Sequence, residues 1–142
     1  GSFSVTSTSA NQTNYVAGAT TLGSATTPYA STGVYFNSSN NYMYASAFQA
    51  TSDETLKTNW RDLPENFIEQ LAQVKHGLFD WIEYDESDVG VSAQSIQSIL
   101  NEAVKPGKDG KLTVNYGNAA LVACIKLAQR VLELEKKMKD NQ

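Results

Sequence analysis

The first 52 residues of the chain contain no charged side chain and no histidine. All 11 basic and 15 acidic residues therefore lie between Asp53 and Gln142. Upstream of this point the chain is dominated by Ser, Thr, Asn, Ala, Gly and Tyr, whereas downstream it has the composition of an ordinary globular domain. So sharp a change predicts two parts with different roles, residues 1–51 and residues 52–142.

Other residue types are scarce, and each shortage excludes a class of protein. The chain has one cysteine, Cys124, which excludes an internal disulfide, and with one histidine it lacks the ligands of a structural zinc site. A net charge of −4 and a pI near 4.9 argue against nucleic acid as a partner. No apolar run approaches the roughly 20 residues of a membrane-spanning helix. We expect no metal, no cofactor, no nucleic acid and no membrane.

Residues 1–51 contain four short segments typical of β-strands, at 3–6, 15–17, 33–36 and 42–48. The Asn- and Ser-rich residues 37–41 are typical of a hairpin loop. These 51 residues offer too little core to fold alone as a monomer. Disorder is one interpretation, but the frequent aromatic residues favour strands that pair between identical chains. The tyrosines could bind a sugar, although aromatic packing between strands is the simpler explanation.

Downstream of the change the pattern predicts a small α+β domain. The first expected element is a helix capped by Asp62, with Pro64 in its first turn and Phe67, Ile68, Leu71 and Val74 on one face. A strand at 78–84 follows, with Phe79, Trp81 or Ile82 buried. The remaining elements are a helix with Ile96, Ile99, Leu100 and Ala103 facing inward, a turn at 106–110 and a strand at 111–116.

A long C-terminal helix is predicted from about residue 118 to residue 139. Its apolar residues alternate at spacings of four and three, as in a coiled-coil seam: Ala120, Cys124, Leu127, Val131, Leu134 and Met138. A second stripe contains Leu121, Ile125, Ala128 and Leu132. Such a helix can pack on its own domain and on symmetry mates at once. The alternative is that both stripes face one monomeric core.

Ser52 and Lys57 stand at the change in composition and form a candidate catalytic pair. A serine hydroxyl becomes a nucleophile when a lysine of lowered pKa takes its proton. Residues five apart point about 140° away from each other on a helix, and an extended chain of five residues spans about 17 Å. The pair therefore needs a turn between its members, or a lysine from another subunit.

Five motifs together resemble one known family. They are 52–59 (SDETLKTN), 79–81 (FDW), 90–94 (GVSAQ), 109–116 (DGKLTVNY) and the terminal helix. In this order they are similar to the C-terminal intramolecular chaperone, or auto-processing peptidase, domain that ends phage tailspikes and tail fibres, including endosialidases, and that also occurs in myelin regulatory factor transcription factors. The departures are Thr55, where Arg or Lys is common, and Ser92, where an aliphatic residue is usual.

The resemblance implies a homotrimer that folds the fibre ahead of it and then cuts itself off. In that case Ser52 is the nucleophile, Lys57 is the base, residues 1–51 are the end of a β-structured fibre or stalk, and the seam helix holds the trimer together. The partners are then other copies of the chain and the upstream fibre, with a host-surface glycan as a further partner of the fibre. The mature fibre would lie in the virion tail, and the chaperone domain would be released in the host cytoplasm.

Ring size favours the Thr51–Ser52 bond as the cleavage junction. The Ser52 hydroxyl reaches the Thr51 carbonyl through a five-membered ring, whereas reaching its own carbonyl needs a strained four-membered ring. Cleavage of Ser52–Asp53 by another nucleophile stays open. Asp53 and Asn59 are candidates to orient the pair or stabilise the oxyanion, and capping of a local turn is the alternative for Asp53.

Three competing functions follow from the same sequence. The domain could be a trimer cap that never cuts, a passive cap on a receptor-binding fibre tip, or part of a membrane-tethered transcription factor. An upstream segment without basic residues fits a fibre better than the last of these.

Overall fold

The computed structural model describes residues 4–23 and 27–142, and it divides the chain into two units, Gly1–Thr58 and Asn59–Gln142. The functional boundary that the sequence predicts at residue 52 is a boundary set by cleavage, and it stays a prediction. Within the described ranges, no helix is both long and apolar enough to cross a membrane.

The first unit contains a three-stranded antiparallel sheet with the strands in chain order, β1 Thr13–Gly18, β2 Tyr29–Asn37 and β3 Tyr42–Tyr44. The predicted hairpin loop is confirmed, because residues 38–41 connect β2 to β3 and the Asn41 N–H donates to the Asn37 carbonyl over 3.0 Å. Asn41 adopts a left-handed backbone (φ 60°), which asparagine tolerates well. Of the four predicted strand segments, 15–17 and 33–36 lie within strands.

The other two segments gave poorer predictions. Only residues 42–44 of the segment 42–48 are in a strand, and residues 4–6 are not in one, while Phe3 lies outside the described residues. The strands that the structure describes pair within one chain. Pairing between chains stays a prediction.

Tyrosines form a row across this sheet. Tyr15 lies opposite Tyr35 and Tyr35 opposite Tyr44. The Tyr35 and Tyr44 rings stack with centroids 4.9 Å apart, and Tyr15 meets Tyr35 edge-on at 6.5 Å. The tyrosines therefore pack against each other across strands. No described side chain of this unit is buried, in keeping with the expectation that the segment cannot build a core alone.

The second unit is a mixed α+β structure, as predicted. Its elements are α1 Phe67–Leu71, β4 His76–Asp80, β5 Ser87–Val91, α2 Ala93–Gln97, β6 Val104–Pro106, β7 Leu112–Val114 and α3 Tyr116–Asp140. Strands β4 and β5 form one antiparallel hairpin, and β6 and β7 form another.

A small core holds these elements together. Val74, Ile96, Ala103 and Val104 are buried in one cluster, and Phe67 is the most completely buried side chain described, with 2% of its surface exposed. The half-buried residues packed against the cluster are Leu71, Val91, Ile99, Leu100, Leu112, Val114 and Ala119. The residues predicted to face inward are therefore buried or half-buried, but both helices are shorter than predicted. Helix α1 ends at Leu71, before Val74, and α2 ends at Gln97, before Ile99, Leu100 and Ala103.

The predicted start of the first helix is wrong. Helix α1 begins at Phe67, and Asp62 caps no helix. Its carboxylate instead accepts a hydrogen bond from the Leu63 N–H and forms an ion pair with Lys126 over 2.7 Å. The Asp62 carboxylate therefore bonds to the neighbouring backbone, but it also pairs with a lysine about 60 residues away and does not cap a helix.

The strand predicted at 78–84 ends early. Strand β4 stops at Asp80, whose carboxylate accepts a hydrogen bond from the Ser87 hydroxyl over 2.6 Å and closes the hairpin. Trp81 lies beyond the strand and contacts the rings of Phe79 and Tyr84. Phe79, Trp81 and Ile82 are all exposed, so the predicted burial of one of them is wrong. The acidic residues between 83 and 88 favour a solvated turn. The turn therefore begins before the alternation of apolar and polar residues in 78–84 ends.

The long helix α3 matches its predicted length, but the face that contacts the rest of the unit is neither apolar stripe. Its half-buried residues are Ala119, Val122, Ala123, Lys126 and Arg130. Lys126 pairs with Asp62, and Arg130 with Glu69 over 3.1 Å. The alternative that both stripes face one monomeric core is therefore wrong. The expectation that one stripe packs on its own domain is corrected as well, because every residue of both stripes is exposed.

Candidate active site

A single helical turn brings Ser52 and Lys57 together. Residues Glu54–Leu56 form one 3₁₀ turn, closed by hydrogen bonds from the Leu56 N–H to the Asp53 carbonyl (3.2 Å) and from the Lys57 N–H to the Glu54 carbonyl (3.0 Å). Backbone on both sides of the turn is extended. This arrangement supplies the turn that the five-residue spacing requires.

The two side chains of the pair are in direct contact. The Lys57 Nζ lies 2.7 Å from the Ser52 Oγ, to which it donates, and 3.2 Å from the Ser52 carbonyl oxygen. A distance of 2.7 Å is within the range that direct proton transfer between a hydroxyl and a base requires. The pair therefore has the geometry of a serine nucleophile and its base, within one chain.

Asp53 holds the turn in place. Its Oδ1 accepts hydrogen bonds from the Thr55 hydroxyl (2.7 Å) and the Thr55 N–H (2.8 Å). These two bonds, the one from the hydroxyl first, and the nearby Lys57 charge hold the pKa of the Asp53 carboxyl below its ordinary range. Of the two roles expected for Asp53, capping is the one that its contacts display.

Thr55 is a functional candidate that sequence reasoning passed over, because it was considered only as a departure from a family pattern. Its hydroxyl and N–H together fix the Asp53 carboxylate. The signal was present in the sequence, since an aspartate two residues before a threonine is typical of such a side-chain-to-backbone turn.

The junction residues 51–53 lie in an irregular, exposed segment just before the turn. Ser52 and Lys57 are exposed as well. Asn59 follows with a left-handed backbone (φ 55°), and its carbonyl accepts a hydrogen bond from Arg61 over 3.2 Å. The supporting role of Asn59 in the reaction stays a prediction.

The five residues predicted to hold a trimer, Cys124, Leu127, Val131, Leu134 and Met138, lie on one exposed stripe of α3. Within the part of the chain that the structure describes, no group of three or more His, Cys, Asp and Glu side chains could hold a metal ion.

Comparison with known proteins finds a family that part of the chain resembles. Residues 52–105 match the model of a family described as the chaperone of endosialidase. The resemblance is therefore confirmed for this segment. The match begins at Ser52 and includes the whole turn up to Lys57, so the candidate dyad lies within the family segment.

Two curated relatives resemble a larger part of the chain. The long tail fiber protein Gp37 of Enterobacteria phage K3 is 35% identical over 99 residues, which cover 61% of this chain and 8% of that protein. Gp37 of Enterobacteria phage T2 is 35% identical over the same length and is covered to 7%. The chain thus spans less than a tenth of the length of these relatives. No solved structure matches it significantly.

Proposed function

We propose that the chain is the end of a phage tail fibre or tailspike followed by a chaperone domain that trimerises, folds the fibre and releases itself by cutting at Ser52. The observation that carries the proposal is the 2.7 Å contact between Lys57 Nζ and Ser52 Oγ, located where the uncharged segment ends and the family match begins. The matched family and the two tail fibre relatives supply the context.

The chemistry uses the Ser52 hydroxyl, the Lys57 amine, the adjoining Thr51 carbonyl and one water molecule. Neutral Lys57 accepts the Ser52 hydroxyl proton while Ser52 Oγ attacks the Thr51 carbonyl carbon, forming a five-membered ring. The Thr51–Ser52 C–N bond then breaks as the Ser52 nitrogen takes up a proton, which leaves an ester between Thr51 and the Ser52 side chain. Water hydrolyses the ester, so that the fibre ends in the Thr51 carboxylate and the released domain begins with the Ser52 amine.

Association of copies supplies what the single chain lacks. A lysine is a base only when neutral, and burial favours the neutral form, yet both members of the dyad are exposed in one chain. We infer that burial of the dyad accompanies assembly. Cleavage then follows trimerisation and does not precede it, so a chain that has not assembled keeps its chaperone.

Trimerisation before fibre folding has a physical benefit. Strands that pair between chains form slowly, because their contacts join distant segments, and aggregation competes with them. A domain that associates first raises the effective concentration of the three fibre segments and fixes their register. Once the domain is cut off, refolding would have to occur unaided, so the fibre becomes kinetically stable.

The test is the intact mass of the purified chain over time. We expect the wild type to yield two fragments that meet at Ser52, and we expect Ser52→Ala to remain whole. Lys57→Arg is the sharper variant, because arginine keeps the charge and hydrogen bonding but does not serve as a base. It should slow cleavage by at least about a thousandfold. Lys75→Arg, at an exposed lysine, is the matched control and should cleave normally.

Two results would overturn the proposal. If the wild type stays whole while it sediments as a trimer, the chain is a trimer cap that does not cut. If Lys57→Arg cleaves at the normal rate, the base is another group. The fragment masses also decide between the Thr51–Ser52 and Ser52–Asp53 bonds.

A further inference from the structure

The second apolar stripe of α3 has no partner within its own unit. Leu121, Ile125 and Leu132 are 63%, 49% and 66% exposed. On a helix of about 100° per residue this stripe is centred roughly 110° from the coiled-coil seam. It points almost directly away from the helix face that packs on the rest of the unit, residues 59–115, which we call the body. A seam that joins copies through Leu127 and Val131 therefore leaves Ile125 and Leu132 of this stripe outside the helix-helix contact.

Heptad positions show which neighbour the stripe meets. With Cys124, Val131 and Met138 at a and Leu127 and Leu134 at d, the face that contacts the unit's own body lies at positions c, f and g, and the second stripe lies at e and b. In a parallel coiled coil the g position of each helix faces the e position of the next. The body of each copy packs beside the g positions of its own helix. It therefore lies next to the e and b positions, and so to the second stripe, of the neighbouring helix.

Charge favours the parallel arrangement. The g positions within the seam are Ala123, Arg130 and Lys137, and the e positions are Leu121, Ala128 and Glu135. Parallel helices in register bring Arg130 of one copy towards Glu135 of the next, five residues on. Antiparallel helices would bring g towards g, where the charges are all positive. Charges at e and g set orientation in coiled coils in this way.

We propose that the stripe Leu121, Ile125 and Leu132 of each copy docks on the body of the neighbouring copy, beside the Arg130–Glu69 ion pair. This inference rests on the seam association proposed above and adds a second contact to it. The receiving surface is a groove between α1 and α3. Its lining includes the half-buried apolar residues Leu63 and Ile68 and the charged residues Asp62, Lys126 and Arg130. A stripe of aliphatic side chains then covers the half-buried Ile68 of the next copy.

With this contact each helix α3 packs against two bodies. Its c, f and g positions contact the body of its own copy, and its e and b positions contact the body of the neighbouring copy. A bare seam of under three heptads is short, because the 25 residues of α3 extend over only about 37 Å. Docking of the body against the neighbouring helix couples folding of each body to assembly, so an unfolded body weakens the whole assembly.

The test is a disulfide that can form only between copies, in a Ser52→Ala, Cys124→Ala background that has no other cysteine and does not cut. One chain carries Leu132→Cys, a second chain with a different tag carries Ile68→Cys, and the two are expressed together and oxidised. We expect a tagged heterodimer, because disulfides need Cα atoms within about 7 Å. The control replaces Leu132→Cys by Glu133→Cys, which is similarly exposed but lies on the side of its own body.

Sedimentation of the same samples separates the outcomes. An assembled protein that crosslinks through Leu132→Cys and not through Glu133→Cys supports the docking. An assembled protein with no crosslink, or with equal crosslinking at both positions, overturns the docking and leaves the proposed function intact. A monomer overturns the docking together with the trimerising role.

A second measurement needs no cysteine. Leu121→Ser combined with Leu132→Ser should raise the dissociation constant of the assembly by at least tenfold. Lys136→Ser, at an exposed position of α3 that does not line the groove, should leave it unchanged. Equal dissociation of both variants and the wild type would contradict the docking.

Discussion

The two units of this chain are held together by different interactions. The second unit has buried side chains, charged residues of both signs and ion pairs that join distant parts of its sequence. The first unit has strands, a row of tyrosines and no buried side chain among its described residues. Hydrogen bonds between strands shape the first unit, whereas apolar burial stabilises the second.

Under the proposed function, the difference gives a reason for the units to be made together and separated later. A sheet without a core has little stability as a single chain and gains it only by association. The second unit folds around its own core and presents an unused apolar helix surface, so it can associate first. The dyad turn follows the uncharged segment, where a cut would separate the part that needs help from the part that gives it.

The largest effect should come from breaking the seam. Leu127→Asp combined with Val131→Asp places charges where copies are proposed to meet, and buried unpaired carboxylates are very costly. We expect a monomer by sedimentation and a loss of self-cleavage by intact mass, with the second unit still folded by circular dichroism. Lys136→Asp, at an exposed position of the same helix that belongs to neither the seam nor the groove, should assemble and cleave normally. Cleavage by the monomeric variant would show that the dyad needs no assembly.

The core of the second unit gives the next largest effect. Phe67→Ala should lower the free energy of unfolding by about 3–5 kcal/mol, because Phe67 is only 2% exposed and its loss leaves a cavity. Phe48→Ala is the matched change in the first unit, where the ring is 75% exposed, and it should leave the melting temperature of the second unit unchanged. An equal loss from Phe48→Ala would mean that the second unit depends on the first for its stability.

Glycines sharpen the same comparison with smaller changes. A Cβ at Gly90 would lie 2.7 Å from the Tyr116 Oη, which accepts a hydrogen bond from the Val91 N–H, and 3.3 Å from the Phe79 ring. Gly90→Ala should therefore lower stability by about 1–3 kcal/mol through crowding, measured by thermal unfolding. At Gly33 in β2 the nearest atom is 3.6 Å away, so Gly33→Ala should be tolerated. If Gly90→Ala leaves the stability unchanged, the Tyr116 side chain can move aside without cost.

The smallest effect concerns the charge of Asp53. Its pKa is lowered by the hydrogen bonds from Thr55, so the stabilisation that it gives the turn is complete above the ordinary pKa of aspartate and is lost as the pH falls through the lowered one. In the Ser52→Ala background, carboxyl NMR should show Asp53 titrating at a higher pH after Thr55→Val than after Thr55→Ser, which keeps the hydroxyl. Identical titrations would mean that the hydroxyl does not hold the carboxylate.

Local features were predictable from sequence where neighbours in the chain decide them. The hairpin loop before Asn41, the turn between Ser52 and Lys57 and the length of α3 depend on residues within a few positions of each other. The predictions failed where distant residues compete. Asp62 was assigned as a helix cap because Pro64 follows it, but Lys126 occupies its carboxylate. Trp81 and Ile82 were assigned to a strand because alternation continues beyond the point where Asp80 bonds to Ser87.

The sequence by itself determined that the composition changes at residue 52 and that α3 carries two apolar stripes. It also determined that Ser52 and Lys57 can meet only through a turn or between subunits. Only the tertiary structure decided which face of α3 contacts its own unit. Periodicity shows which side chains share a face, but any face can be the one that packs. Here the small residues Ala119 and Ala123 allow close approach, and Asp62 and Glu69 pair with Lys126 and Arg130. Both apolar stripes therefore remain exposed.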